Sequence, residues 1–473
     1  MPRLAGLLGA VLLALAGCAA PVPRLAPPLP AQWQHAIAAD KAAPADLHGW
    51  WHAFADPQLD QLVDQALTSN LDVAQAVERL LAVRALHERS GARYLPNLSI
   101  NTHDVVEPSA SASYFLVGFD ANWELGLFGR AEASRRSSQG SLDASMADLR
   151  STQVSLIAEV VREWIDLRTA QQQQRLLLQM RELRQQQWQS LQTRQQLQLA
   201  TPAAVDQAQA ALAQAEAALA APRQAINASA QRLALLLGQN HPDPAWLIPG
   251  KIPELGAWRL ASTPADLLRN RPEIAHAEAE VLQAAGAQAL AHAELFPSIG
   301  LGGSIDWSTD IDNDKKHSNT PNNIISLGPN ISIPLFDWGI RLAAKHARDH
   351  QLRASVLAYR QAVLLGVSEV ETALGSLQQQ AQREHHGNVA WQALQRVDQA
   401  MQTRVRLKLS SPLAHADSQI ASDQAALELA DARASHCLAY VALFKALGGA
   451  PLPTDSAPAA AESDPNHSAP TPH

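Results

Sequence analysis

The feature that most limits what this chain can fold into is an internal echo. Asn70-Leu71-Asp72-Val73-Ala74-Gln75-Ala76 lies over Arg271-Pro272-Glu273-Ile274-Ala275-His276-Ala277, and Leu95-Pro96-Asn97-Leu98 over Phe296-Pro297-Ser298-Ile299, both at an offset of 201 residues. Phe128-Gly129, Leu149-Arg150, Glu159-Val160 and Leu237-Gly238 lie over Trp338-Gly339, Tyr359-Arg360, Glu369-Val370 and Leu447-Gly448 at an offset of 210. Offsets that hold over such stretches imply a duplicated unit. The nine extra residues fall between segments 97–127 and 298–337, and length variation of this kind belongs in loops.

In those two segments the hydrophobic period is two. Ile299, Leu301, Ile305 and Trp307 alternate with Ser298, Gly300, Gly302, Ser304, Asp306 and Ser308, and Ile325, Leu327, Ile331 and Ile333 alternate with polar or small neighbours. The first copy is looser, with Leu98 and Ile100, then Phe115, Val117, Phe119, Ala121 and Trp123. The alternation predicts four strands in two hairpins, at about 97–107, 112–123, 298–308 and 324–334. About ten residues with one oily face is the size of a membrane-spanning β-strand. Pro329, in mid-strand, predicts a bulge or a shorter strand.

Each hairpin is followed by a long Pro-free helical stretch, expected at about 130–199 and 339–409. Leu142, Met146, Leu149, Leu156, Val160 and Leu167 trace a seam in the first, and Val356, Val363, Val370 and Leu377 trace one in the second. Pro202 and Pro412 suit the first turns of returning helices at about 203–237 and 413–447, with Gly238 and Gly448 as C-caps. Pro222 stands where the second copy has Ala432, which predicts a kink in the first copy alone. An apolar content of 47% with only 5% aromatic residues fits long packed helices better than several globular cores.

The N-terminus has a short positive start, an apolar run from Leu4 to Leu15, and Leu15-Ala16-Gly17-Cys18. That run is too short to cross a bilayer and reads as a signal peptide, 1–17, ending in a sequence similar to the bacterial lipobox. Cys18 is then the lipidated first residue of the mature chain, and Ala19 favours sorting to the outer membrane. Cys437 is left as the one other thiol, so no intrachain disulfide can form. Residues 18–48 form a Pro- and Ala-rich arm, 49–250 and 251–449 the two repeats, and 450–473 a disordered tail. A net charge of −8 without a basic patch gives no footprint for nucleic acid.

Four strands cannot close a barrel, and open strand edges are not tolerated in lipid. Two copies would give eight strands with a filled interior. Three give twelve and a passage. The fold expected is therefore a mixed α/β membrane protein, a trimeric 12-stranded β-barrel with four strands per chain, continuous with a long α-helical barrel and built from two internal repeats.

The sequence resembles the TolC/OprM-like outer-membrane efflux proteins, and in particular their NodT-like lipoprotein branch. The residues that carry the resemblance are Trp51, Phe54, Asp56-Pro57 and Leu59, then Glu124-Leu125-Gly126-Leu127-Phe128-Gly129-Arg130. They continue with Arg271-Pro272-Glu273-Ile274, Ala277-Glu278, Phe296-Pro297-Ser298 and Pro334-Leu335-Phe336-Asp337-Trp338-Gly339. The resemblance implies a homotrimer in the outer membrane with a periplasmic helical extension, serving a tripartite efflux system with a periplasmic adaptor and an inner-membrane transporter. It also implies acidic residues ringing a periplasmic aperture just after the helix reversals. Asp417 matches the later acidic position, the earlier one falls on Ala414, and Asp206 is the nearest acid in the first copy. Another reading of Asp417 is support for the start of the returning helix.

No cofactor is expected beyond the covalent lipid on Cys18. Gly300-Leu301-Gly302-Gly303 lies in a strand pattern, not in a phosphate loop. His385-His386 reads as a solvated helix face, since neighbours on a helix point apart, and no metal motif supports it. Cys437 reads as a small packed residue, and Trp50-Trp51 as packing anchors. No converging set of titratable groups indicates an enzyme. The alternative to a channel is a periplasmic adaptor or scaffold lipoprotein, which would carry one helical hairpin instead of two. The loop Thr309 to Asn323, rich in Asp and Lys, is expected outside the cell.

Overall fold

The computed structural model describes residues 23–25, 29–35, 46–105, 114–256, 258, 260, 262–310 and 323–451. The signal peptide, Cys18, most of the loop Thr309–Asn323 and nearly all of the tail lie outside the described residues.

The four strands are β1 (Asn97–Val105), β2 (Tyr114–Leu125), β3 (Ser298–Asp310) and β4 (Asn323–Ser332). They form one antiparallel sheet in the order β1-β2-β3-β4, with Ile100 opposite Phe119, Phe119 opposite Ile305 and Leu301 opposite Pro329. Adding 201 to the β1 member and 210 to the β2 member turns Ile100·Phe119 into Leu301·Pro329, so both hairpins keep one register. Of the two outcomes expected at Pro329, the bulge is absent and the ladder runs through it unbroken, while β4 does end at Ser332, two residues short of the expected 334. β4 is an outer strand, where a residue without an N–H is tolerated.

The helices are α1 (Pro57–Ser69), α2 (Leu71–Glu88), α3 (Arg130–Gln196), α4 (Pro202–Ala218), α5 (Ala220–Leu236), α6 (Pro272–Ala293), α7 (Ile340–Arg406) and α8 (Pro412–Ala446). α3 and α7 are 67 residues each, about 100 Å long. They begin 210 residues apart, each after two residues in the left-handed region, Phe128-Gly129 and Trp338-Gly339. Each stops about three residues before its expected end because the turn claims them. Gln198 and Lys408 both turn left-handed at φ 59°, and Thr201 and Ser411 cap the returning helices.

Pro222 splits the first return into α4 and α5 at Leu219, since its ring excludes the preceding turn. α8 passes Ala432 as one continuous helix of 35 residues. Gly238 and Gly448 end the returns at φ 67° and 76°, with the following N–H groups reaching back to Ala234 O and Phe444 O at 2.7 and 2.9 Å.

Of the seam expected in α3, Leu156, Val160 and Leu167 are buried as expected, and its upper part needs correction. Met146 is exposed and Leu142 and Leu149 are half-buried, whereas Ala133, Gly140, Ala147, Val154, Val161 and Arg168, spaced by seven, are buried. The large apolar residues misled the reading: the upper half of α3 packs on α6 through small ones. A Cβ placed on Gly140 would lie 2.5 Å from Gln283 N, and one on Gly286 would lie 2.4 Å from Ser137 N. Ala279, Gly286 and Ala293 supply the answering heptad on α6. In α7, Val363, Val370 and Leu377 are buried as expected.

Side by side, the upper helices run α2-α3-α6-α7 beneath β1-β2-β3-β4. Midway down, an aromatic core of Trp50, Phe54, Trp258, Tyr440 and Phe444 joins the segment just before α1 to the last helix, α8. Trp50 and Trp51 are both buried, as packing anchors, and Trp50 Nε1 donates to Gly449 O at 3.2 Å. Cys437 packs beside this core, where burial pushes its thiol up to about 12.

Candidate functional site

Two regions of this body can do work: the sheet with the collar beneath it, and the reversals about 100 Å away. The collar is fixed by residues singled out from the sequence. Arg130 donates through Nη2 to Ala293 O and Phe296 O, both at 3.2 Å, and tethers the base of β2 to the end of α6. Phe128 stacks on Phe296 with centroids 5.3 Å apart. In the second copy, Asp337 accepts from Gly339 N and Arg341 N, but Leu335 and Trp338 are left 90% and 86% exposed. Lower down, buried Arg271 caps α8 through Ala446 O and pairs with Glu273 and Glu369. Its counterpart Asn70 caps α2 and donates to Leu236 O.

At the reversals, Asp417 is not in the first turn of α8, which holds no acidic residue and is capped by Ser411. This removes the helix-start reading. Asp417 Oδ1 instead accepts from Gln187 Nε2 of α3 at 2.7 Å, and Arg184 holds that amide through its oxygen at 3.0 Å. Asp206 sits on the exposed face of α4.

Sequence reasoning missed a second acidic group. Asp398 of α7 lies 3.3 Å from His415 Nε2 and accepts from Ser418 Oγ at 2.8 Å. Nearby Asp423 has a buried, unpartnered Oδ2, and burial with the repulsion of Asp398 pushes its carboxyl up to about 6. The signal was present in the turn: folding α7 and α8 back about Leu409 brings positions 398 and 415–423 level. Because the folded carboxyl titrates above its unfolded value, stability is lost as pH rises through about 6. Asp423→Asn should therefore raise the melting temperature at pH 8 and leave it nearly unchanged at pH 4, as circular dichroism would show.

His385 and His386 lie on the exposed face of α7, although their rings approach to 5.4 Å instead of pointing apart. Among the described residues no group of acidic, His or Cys side chains is arranged to hold a metal ion.

An amphipathic sheet of membrane-spanning strand length, carried on two 67-residue helices, defines the class: an outer-membrane protein with a long helical body. Comparison with known proteins agrees. The family model described as outer membrane efflux protein matches residues 62–239 and 263–449. The chain belongs to the outer membrane efflux protein family. It is 28% identical over 445 residues to the pyoverdine export outer membrane protein OpmQ of Pseudomonas aeruginosa, covering 89% of this chain and 91% of that protein. It is 29% identical over 419 residues to nodulation protein T of Rhizobium leguminosarum bv. trifolii, covering 84% and 86%. Among solved structures, the outer-membrane channel OprN superposes with a TM-score of 0.77 at 28% identity, covering 90% of this chain and 98% of that one. The family match decides between the two sequence readings in favour of an efflux channel.

Proposed function

We propose that the protein is the outer-membrane duct of a tripartite efflux system, a homotrimer passing small molecules from a periplasmic adaptor and an inner-membrane transporter to the exterior. The observation that carries this reading is the pair of unpaired edges, β1 and β4, on strands of 9 to 13 residues. Such edges cannot face lipid. Three copies supply twelve strands around an open passage, the smallest closed set that leaves one. The recurrence of helix starts, left-handed turns and strand registers at fixed offsets supports two repeats, here assigned to 49–250 and 251–449.

Lipidation at Cys18 is supported by the course of the arm. His35 and Gln34 bind the Glu371 carboxylate, about 47 Å along α7 from the sheet end, and Trp33 Nε1 donates to Ser262 O at 2.8 Å. Pro23 and Leu25 line a cavity with Met146 and Leu282, only about 20 Å from the sheet end. The arm therefore climbs toward the membrane, and the five residues from Cys18 to Pro23 can reach about 17 Å further. Labelled palmitate should enter the wild type and not Cys18→Ser; equal labelling would refute the anchor.

The aperture is assigned to the reversals, with Asp417 and, in the first copy, Asp206 lending it negative charge. Purified protein in planar bilayers should conduct with a preference for cations. Asp417→Ala should lower that preference several-fold without changing the oligomer. Absence of conductance would count against the channel, and unchanged selectivity against the role of Asp417.

A further inference from the structure

We propose that the cavity beneath the N-terminal arm, on the flank of α3 and α6, binds a long-chain fatty acid, with its carboxylate on Arg150 and its hydrocarbon chain among Leu25, Met146 and Leu282. The proposal does not depend on the duct reading.

The cavity follows from how the two helices pack. Asp143, Met146, Ala147 and Arg150 share one face of α3, and Ala275, Ala279 and Leu282 share one face of α6. The small residues that bring the helices together leave a trough on this side. Pro23 and Leu25 of the arm supply its remaining wall and bound a space of about 610 Å³, the size of a pocket for one small ligand. Among the described residues no aromatic ring lines it, and Met146 adds a side chain that adapts to an irregular guest. Such a lining suits a flexible hydrocarbon chain better than a flat ring, and the volume suits one chain better than a two-chain lipid.

The charge is supplied by Arg150. Its Nε and Nη2 are buried and have no hydrogen-bond partner among the described residues. These two atoms form one edge of the guanidinium, an edge that grips a carboxylate through two parallel hydrogen bonds. Burial lowers the pKa of the group and no neighbouring charge opposes that shift. An edge buried in this way is costly to leave unpaired, and an anion relieves the cost.

The acids of the cavity do not fill that role, since Asp143 accepts from Gln139 at 2.7 Å and Glu278 is exposed. Of the other cations, Arg269 is exposed and Arg271 is spent on Ala446 O, Glu273 and Glu369. With two carboxylates so near, a singly charged guest is favoured over a phosphate dianion. The acyl groups expected on Cys18 are neutral and would leave Arg150 unpaired. Because the free edge is closed to water, a guest reaches it by parting the roof. The arm is the wall that yields, for among the described residues its first hydrogen bond is at Trp33, and Leu25 is held by packing.

The test is equilibrium binding of radiolabelled palmitate to the full chain, delipidated and purified in a neutral detergent. Wild type should bind about one palmitate per chain, saturably. Arg150→Gln should weaken binding about tenfold or more, and Ala275→Leu, which fills the trough and keeps the cation, should block it. Native mass and thermal resistance of both variants report their folding separately. Palmityl alcohol should fail to compete, a result that needs no variant. Absence of saturable binding to wild type, or competition by the alcohol as strong as by palmitate, would overturn the proposal. Equal displacement by inorganic phosphate or by phosphatidylglycerol would overturn the fatty-acid assignment. Binding by Cys18→Ser but not by wild type would give the cavity to the chain's own lipid and overturn it too.

Discussion

Replacing Gly286 with leucine should abolish assembly of the protein in the membrane. The Cβ alone would meet Ser137 N at 2.4 Å and Ala133 O at 2.8 Å, and both are backbone atoms of α3 that no rotamer change can move. Overpacking of this kind costs about 1–3 kcal/mol or more, against about 1 kcal/mol of helix propensity gained by removing a glycine. The added branch must force α6 from α3, and these two helices carry β3 and β2. Their ladder runs in register from Tyr114·Asp310 to Leu125·Ile299, so a shift at Gly286 separates the middle of the sheet. Gly140→Leu should do the same from the other side. Gly387→Ala in α7 is the contrasting case: its nearest neighbour would be Leu429 Cδ1 at 3.7 Å, an ordinary contact. That variant should gain up to about 1 kcal/mol of stability. Heat dissociation followed on semi-native gels separates the three. A Gly286→Leu protein that assembles with wild-type thermal resistance would show that the α3·α6 contact is not so close.

The second large effect is expected at Arg168. Its guanidinium is buried over the Trp164 ring at 4.0 Å and donates to Ile248 O, Gln171 Oε1 and Gln58 Oε1 at 2.7 to 2.9 Å. Trp164 Nε1 in turn donates to Asp56 Oδ2, the carboxylate that caps α1. One side chain thus ties α1 and the segment after α5 to the middle of α3. Burial lowers its pKa, yet the charge persists because a guanidinium remains protonated far above neutrality. Arg168→Ala strands those acceptors and should cost on the order of 3 kcal/mol. Lysine cannot reproduce a planar fork that both stacks and donates three ways, so Arg168→Lys should recover less than half. Limited proteolysis should report the loss as new cleavage within 239–256, with α3 intact. Unchanged protease resistance in Arg168→Ala would mean that the aromatic core alone holds this belt.

What could be read from the sequence was what punctuation and period announce. Pro202 and Pro412, Gly238 and Gly448 are residues whose backbone preferences fix where an element starts or stops, and the structure uses each of them so. The strands emerged from alternation alone, within a few residues of their observed ends. The bulge read at Pro329 misled because the penalty for proline depends on whether a strand is central or outer, which is a property of the sheet and not of the segment. The upper part of the α3 seam misled, while Leu156, Val160 and Leu167 lower down are buried as read, because a search for large apolar residues passes over Ala133, Gly140 and Ala147, although their spacing of seven was there to be read. Contacts between distant segments left no local trace: nothing near Asp417 points to Gln187, 230 residues earlier, and nothing near Arg168 points to Ile248. Asp398 and Asp423 lie between these extremes, since the turn at Leu409 fixes which residues of α7 and α8 stand level.

The central claim is that the sheet of one chain is a third of a barrel, and the mass of the purified protein in detergent tests it most directly. Native mass spectrometry of the processed polypeptide should give three chains, with no stable species of one or two. A monodisperse single-chain species that still conducts in planar bilayers would contradict the account, because β1 and β4 would then face lipid without partners.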